Sequence, residues 1–201
     1  MIENWLFLLA IIAVLMIPGP GNALVANAAH QTGQAKAFML LPAIVMGYIY
    51  AMNGWALLIH LFSPIWPSFR TVVHILSALW VGWMTFHLYK AHQLEKHQRE
   101  YPEMSPWQMF FITLKNPKAA LMTASILPKS TWDGMTQFAL VFASFALVTI
   151  PVAVFWMTYG QTILSKALDQ RKANQKKADL LYKGSALFLL LCLIPLILHF
   201  D

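Results

Sequence analysis

Long apolar stretches separated by short polar connections run through the whole chain. Their apolar residues form continuous blocks of about 20, the length that an α-helix needs to cross a bilayer, and do not alternate as barrel strands do. Six blocks are predicted as transmembrane helices, at residues 4–29, 37–61, 70–91, 106–128, 135–160 and 179–200. The pattern therefore predicts an all-α membrane protein with six transmembrane helices.

The composition agrees with this class. Hydrophobic residues make up 59% of the 201-residue chain and charged residues only 11%, whereas a soluble domain carries roughly 25% charged residues. The first four residues lack the positive charge of a secretory signal, so we expect the first block to be a retained helix. The single cysteine, Cys192, excludes an internal disulfide and a Cys-x-x-Cys redox pair.

Lysine and arginine are unequally distributed between the connections. The connections after spans 1, 3 and 5, with their flanks, contain Lys36, Lys90, Lys96, Arg99, Lys166, Arg171, Lys172, Lys176, Lys177 and Lys183. The connections after spans 2 and 4 contain only Arg70 and Lys129. The odd connections are therefore predicted to be cytoplasmic, with both termini on the other side of the inner (cytoplasmic) membrane. This bias also explains the net charge of +6 without a nucleic-acid partner.

The first and fourth blocks are interrupted in the middle. The first contains Pro-Gly-Pro-Gly-Asn at 18–22, and the fourth contains Lys-Asn-Pro-Lys at 115–118. Proline removes a backbone donor and glycine admits unusual conformations, so neither stretch continues as a regular helix. In lipid such a break needs support from protein or a watery cavity. Paired breaks at corresponding places in the two halves indicate the binding site of a transporter.

Spans 1–3 and 4–6 can be aligned with their breaks in register. Because each unit has an odd number of helices, the second enters the membrane from the opposite face, which predicts a three-plus-three inverted repeat with helices 1 and 4 broken. We expect one domain over residues 1–201. Its halves lie at about 1–91 and 106–201 and are joined by a charged cytoplasmic loop at 92–105.

Each break is expected to begin a new half-helix whose N-terminus points to the bilayer midplane. Asn22 is a suitable N-cap at the first break, and Asn116 followed by Pro117 is a helix-start signal at the second. Helix N-termini bind anions, and Lys115 and Lys118 add cations where a charge costs roughly 2.5–3.5 kcal/mol. The pattern predicts a bound carboxylate or another small anion. Packing kinks, with lysines that reach the interface, are the alternative.

Both breaks resemble motifs of the LysE/RhtB family of amino-acid exporters. Residues 18–25, Pro-Gly-Pro-Gly-Asn-Ala-Leu-Val, resemble its Pro-Gly-Pro motif, and residues 116–121, Asn-Pro-Lys-Ala-Ala-Leu, look like its Asn-Pro-Lys-Ala motif. The resemblance covers essentially the whole chain. It implies efflux of an amino acid or similar small zwitterion, driven by an ion gradient. The expected substrate-binding residues are Pro18, Gly19, Pro20, Gly21, Asn22, Gly47, Tyr48, Asn116, Pro117 and Lys118.

Span 2 departs from the family pattern. The family often has Gly-x-x-x-Gly followed by Asp, where this chain has Ala43 and then Gly47 followed by Tyr48. No acidic residue lies deep in any predicted span. A proton relay through a membrane carboxylate is therefore not expected, and coupling would use histidine, lysine or backbone sites.

Other residue groups leave alternatives open. His92 and His97 do not share a helix face, and no acidic residue joins them at ligand spacing, so no metal site and no cofactor are expected. Of the remaining histidines, His87 lies deeper in a span than His74. Aromatic residues in spans 2 and 5 could line a pocket or pack in the core: Tyr48, Tyr50, Trp55, Trp156 and Tyr159.

The expected function is export of an amino acid by alternating access, with no enzymatic activity. Besides the amino acid and the lipid bilayer, we expect a second copy of the chain as a partner, in a homodimer. The alternatives are a transporter of another small anion or a metal ion, or a membrane scaffold or assembly subunit without transport.

Overall fold

The computed structural model describes residues 2–94 and 103–161. The predicted sixth span and residues 95–102 of the predicted loop lie outside the described residues. Eight α-helices occur in the described ranges: α1 (Ile2–Met16), α2 (Pro20–Thr32), α3 (Gln34–Ala37), α4 (Leu41–Phe62), α5 (Phe69–Leu94), α6 (Pro106–Leu114), α7 (Pro117–Ser125) and α8 (Met135–Tyr159). Two short 3-10 turns, Phe38–Leu40 and Lys129–Trp132, precede α4 and α8. The all-α prediction is confirmed for this part of the chain.

Fewer helices have the length and composition of a membrane span than the six that the apolar pattern predicts. Within the described ranges, Gln34–Phe62 and Met135–Tyr159 are long and apolar enough to cross a membrane. The bent pair Phe7–Met16 and Pro20–Thr32 gives a third span if it is counted as one. Phe69–Met84 is a shorter apolar helix. The arrangement of six spans as an inverted repeat stays a prediction.

Local sequence signals explain several helix ends. Helix α6 begins with a capping box, in which the Ser105 hydroxyl accepts from the Gln108 N–H (3.2 Å) and the Gln108 side chain accepts from the Ser105 N–H (3.1 Å). Helix α2 ends at Gly33, whose φ of +84° is a conformation that favours glycine. Both ends lie where the predicted spans meet their polar connections.

The two interrupted helices lie at the centre of the packing. Helix α4 packs against α6 and α7, α8 packs against α1 and α2, and α5 packs against α7. The largest apolar side chains with almost no exposed surface are Ile11, Ile17, Met52, Met109, Leu121, Met122, Phe145 and Met157. This core surrounds both breaks from several sides.

The outer surface is also apolar. Large exposed apolar side chains include Leu57, Leu61, Leu76, Leu79, Trp80, Leu140 and Leu147. A surface of this kind is unfavourable in water but suits contact with lipid. Core and surface together are those of a membrane protein.

Candidate functional site

The first break separates α1 from α2 at Ile17, Pro18 and Gly19. The two helices meet at an angle of 65°. Helix α2 starts with Pro20, and its N-cap is Gly19, which has an extended backbone and supplies no side-chain cap. Pro18 and Gly19 are both buried.

Asn22 does not cap α2 as the sequence predicted. The prediction was wrong because the helix already starts at Pro20, which places Asn22 inside its first turn. From there the Asn22 amide donates to the carbonyl of Leu15 in the last turn of α1 (2.8 Å) and to that of Ile17 in the break (2.9 Å). Asn22 therefore satisfies carbonyl groups that lost their helical partners at the break.

The second break agrees with the prediction. Asn116 is the N-cap of α7, its side-chain oxygen accepts from the Lys118 N–H at 3.1 Å, and Pro117 is the first helical residue. Its Nδ2 donates to the Tyr48 hydroxyl at 3.1 Å. The Asn116 side chain thus starts α7 and at the same time fixes the break against α4.

Lys118 joins the two breaks. Its side chain is only 2% exposed, and Nζ donates to the carbonyl of Ile17, which also accepts from Asn22. A Cβ atom on Gly19 would lie 3.0 Å from Lys118 Cε and 3.2 Å from Nζ. Glycine at position 19 therefore leaves the space through which Lys118 reaches the first break.

Lys115 is exposed, in contrast to Lys118. It follows the last residue of α6, where its N–H donates to the Phe111 carbonyl at 3.1 Å, and the next N–H, of Asn116, donates to the Thr113 carbonyl at 3.0 Å. The two lysines flank the same break, but the chain turns between them, and only Lys118 faces α1. The sequence expected cations at the break, and the structure places one in the interior and one at the surface.

The two candidate site residues of span 2, Gly47 and Tyr48, make different contacts. Tyr48, which is 4% exposed, takes the position of the family's acidic residue and accepts the bond from Asn116. Gly47 packs against α6, where an added Cβ would lie 2.8 Å from Thr113 Cβ and 2.9 Å from the Phe110 carbonyl oxygen. Gly47 thus permits a close helix contact.

A cavity of about 20 Å³ lies beside the first break. Its walls come from α1, α2, α4, α6 and α8, and are formed by Leu15, Gly21, Asn22, Val25, Ile44, Tyr48, Met109, Thr113, Thr149, Val152, Ala153 and Trp156. This volume is enough for about one water molecule. Any amino acid would require the surrounding helices to move apart.

Three polar residues of this wall were not among the predicted site residues: Thr113, Thr149 and Trp156. The two threonines donate to carbonyls one turn back, at 2.8 Å each. A sequence gives no signal for them, because back-bonded threonines are common in apolar helices. Trp156 was one of the aromatic residues for which pocket lining and core packing were both open, and it lines the cavity together with Tyr48, whereas Tyr50 is 58% exposed.

The histidines form no metal site in the described ranges. No group of three or more His, Cys, Asp or Glu side chains lies together there. His74 is the buried histidine, at 7% exposure, while His87 is exposed and stacks on Trp83 with ring centroids 4.4 Å apart. His87 thus faces outward from α5, and its depth in the membrane stays a prediction.

Comparison with known proteins gives one positive finding. The profile described as LysE type translocator matches residues 12–198, nearly the whole chain and both breaks. No curated protein and no solved structure shows a significant match. With the apolar helices, the match makes this chain a membrane transporter, and it belongs to the LysE type translocator family.

Proposed function

We propose that the chain exports an amino acid or a similar small zwitterionic metabolite across the cytoplasmic membrane by alternating access. The buried Lys118 side chain carries this proposal, because it links the two helix breaks through the Ile17 carbonyl. An ionisable residue at this depth costs roughly 2.5–3.5 kcal/mol in lipid and is by default functional. Membership of a translocator family supports the same proposed function.

The substrate carboxylate is proposed to bind at the N-terminus of α2, with Lys118 as its counter-ion. Helix α2 has no side-chain cap, and its first turn faces the cavity with Gly21 and Asn22. Helix α7 is less open, since Asn116 already accepts from the Lys118 N–H. Helix α7 would therefore contribute mainly the Lys118 side chain, while α2 contributes backbone N–H groups.

The packing supports the proposed inverted repeat. Alignment of the breaks makes α6 and α7 the counterparts of α1 and α2, and α8 the counterpart of α4. Helix α2 packs on α8 and its counterpart α7 packs on α4. Likewise α1 packs on α8 and its counterpart α6 packs on α4. A pseudo-two-fold axis that relates the two halves produces this exchange of partners, and the odd number of helices in each half would place the axis in the membrane plane.

Several polar contacts close the end of the molecule that we assign to the cytoplasm. Lys36 pairs with Glu103 at 3.4 Å, and Gln34 Nε2 donates to the Thr158 hydroxyl at 3.2 Å. Nearby, Gln161 Nε2 donates to the Ala29 carbonyl at 3.3 Å. In the proposed cycle these contacts would break when the cavity opens to the cytoplasm. They are exposed or half-buried and hence weak, which suits a reversible closure.

Solute release from proteoliposomes tests the proposal. We expect Lys118→Ala to lower amino-acid release at least about tenfold, because the carboxylate loses its counter-ion. Lys115→Ala, at the exposed lysine of the same break, is the matched control and should keep wild-type release. Lys118→Met fills the space of the side chain without its charge and should fail like Lys118→Ala while folding normally.

Two results would count against this function. Wild-type protein that releases no member of a broad amino-acid panel would remove the exporter assignment. Equal release by Lys118→Met and wild type would remove Lys118 from the site. Thermal unfolding of each purified variant separates loss of transport from loss of fold.

A further inference from the structure

The cavity beside the first break is lined only by neutral groups among the described residues. Its polar members are an amide, a phenol, two hydroxyls and an indole, from Asn22, Tyr48, Thr113, Thr149 and Trp156. The remaining walls are aliphatic or methionine side chains and glycine. Two carboxylates of the described residues, Glu103 and Asp133, lie at the surface. A second positive charge on a substrate would therefore have no carboxylate among the described residues to pair with in this cavity.

Trp156 contributes a donor without an acceptor. The residue is 5% exposed, and its indole N–H has no hydrogen-bond partner within the described part of the chain. Buried donors are nearly always satisfied, and each exception calls for an explanation. Its neighbours on the cavity wall, Thr113 and Thr149, both donate to carbonyls of their own helices.

The first turn of α2 forms another part of the same wall. Gly21 and Asn22 lie there, and the N-cap Gly19 offers no side-chain acceptor for their N–H groups. This turn and Trp156 line the same cavity, so both can contact one small ligand group. Both features are donors, and a carboxylate is the acceptor group of an amino acid.

We propose that Trp156 and the first turn of α2 jointly bind the substrate carboxylate, and that the substrate is an amino acid with no net positive charge and a small apolar side chain. This rests on the proposed function and narrows it. One carboxylate oxygen accepts from the first turn of α2, and the other accepts from the indole N–H. The side chain lies among Ile44, Met109 and Val152, where an ammonium or guanidinium group would have no carboxylate among the described residues to pair with.

Release assays with wild-type proteoliposomes test the charge class. The panel contains alanine, valine and leucine as neutral amino acids and lysine and arginine as cationic ones. We expect the neutral members to be released at least about tenfold faster than the cationic ones. Faster or equal release of lysine or arginine overturns the inference and leaves the exporter function standing. Release of no amino acid overturns the function itself.

Trp156→Phe tests the indole donor. Phenylalanine keeps the aromatic ring and removes the N–H, so the half-saturation concentration for a neutral amino acid should rise at least about tenfold, as for a lost bond to a charged group. Trp107→Phe, at a tryptophan that is 68% exposed on α6, is the control and should change this value less than twofold. Less than a twofold change in Trp156→Phe overturns the indole's role. The charge-class comparison uses wild-type protein, so it decides the inference even if this variant does not fold.

Discussion

At the scale of single residues, the side chain of Asn116 stabilises the second break with both its amide oxygen and its amide nitrogen. Its oxygen caps α7 through the Lys118 N–H, and its nitrogen donates to the buried hydroxyl of Tyr48. A side chain that only accepted or only donated would leave one of these groups unsatisfied. Asparagine supplies both the acceptor and the donor at this position.

We expect Asn116→Ala to lower the free energy of unfolding by roughly 1–2 kcal/mol, because it removes an N-cap and leaves the Tyr48 hydroxyl without its donor. Asn53→Ala is the matched control. Asn53 donates only to the Ile49 carbonyl of its own helix at 2.7 Å, and its loss should cost less. Thermal unfolding in detergent measures both variants, and equal melting temperatures would contradict the role given to Asn116.

Sequence reasoning predicted part of this residue-level picture. Asn-Pro is a strong local start signal, so the cap and first residue of α7 were predicted correctly. Pro-Gly-Pro-Gly-Asn permits more than one start, and the helix begins before the asparagine rather than after it. Which of Lys115 and Lys118 is buried depends on the direction of the turn between them, and no local pattern states that direction.

At the scale of helices, close contact between α4 and α6 depends on Gly47. Helix α6 passes so near that Thr113 and the Phe110 carbonyl occupy the space of a Cβ atom. Gly54, farther along α4, has no atom of the described residues within 4 Å of the corresponding space. Within residues 2–94 and 103–161, the same helix therefore contains one glycine that contacts a neighbouring helix and one that does not.

Gly47→Ala is expected to destabilise the protein by about 1–3 kcal/mol, since the added methyl group forces α4 and α6 apart. Gly54→Ala should leave stability unchanged or raise it by up to about 1 kcal/mol, because alanine restricts the unfolded chain more than glycine does. Circular dichroism during thermal unfolding compares the two. The close-packing interpretation fails if both variants melt together.

Helix positions were easier to predict than helix faces. Apolar blocks longer than a soluble helix define α4, α5 and α8 to within a few residues, because the bilayer sets their length. The faces that line the cavity follow from packing between distant segments. Trp156 could be expected near Tyr48 only as one of several aromatics, and the orientation of α8 decides which of them lines the cavity.

At the scale of the whole molecule, the charge distribution predicts which end faces the cytoplasm. The ion pair Lys36–Glu103 and the end of α2 lie at the end assigned to the cytoplasm, and Asp133 lies before α8 at the other. Lys36 and Glu103 are 65% and 75% exposed, so their attraction contributes little to stability. Their sequence positions, and not the strength of the pair, support the topology.

Cysteine labelling tests this orientation. In a Cys192→Ala background, Gln31→Cys and Asp133→Cys place single thiols at exposed positions on opposite ends, without changing the number of lysines and arginines. A membrane-impermeant maleimide added to intact cells should label Asp133→Cys only. Gln31→Cys should react after the membrane is permeabilised. The reverse pattern would invert the proposed topology.

In the proposed mechanism the Ile17 carbonyl competes with the substrate carboxylate for the Lys118 ammonium group. Because Lys118 Nζ already donates to this oxygen, an arriving carboxylate in the proposed mechanism shares the ammonium group with the Ile17 carbonyl, and so gains less than it would from an ammonium without a bonded carbonyl. Such competition keeps the affinity for the substrate low and its dissociation fast. A transporter needs fast dissociation to release the substrate on the other side of the membrane. When the carboxylate takes this bond, the Ile17 carbonyl keeps the bond from Asn22 alone, so that binding of the solute and loosening of the first break are coupled.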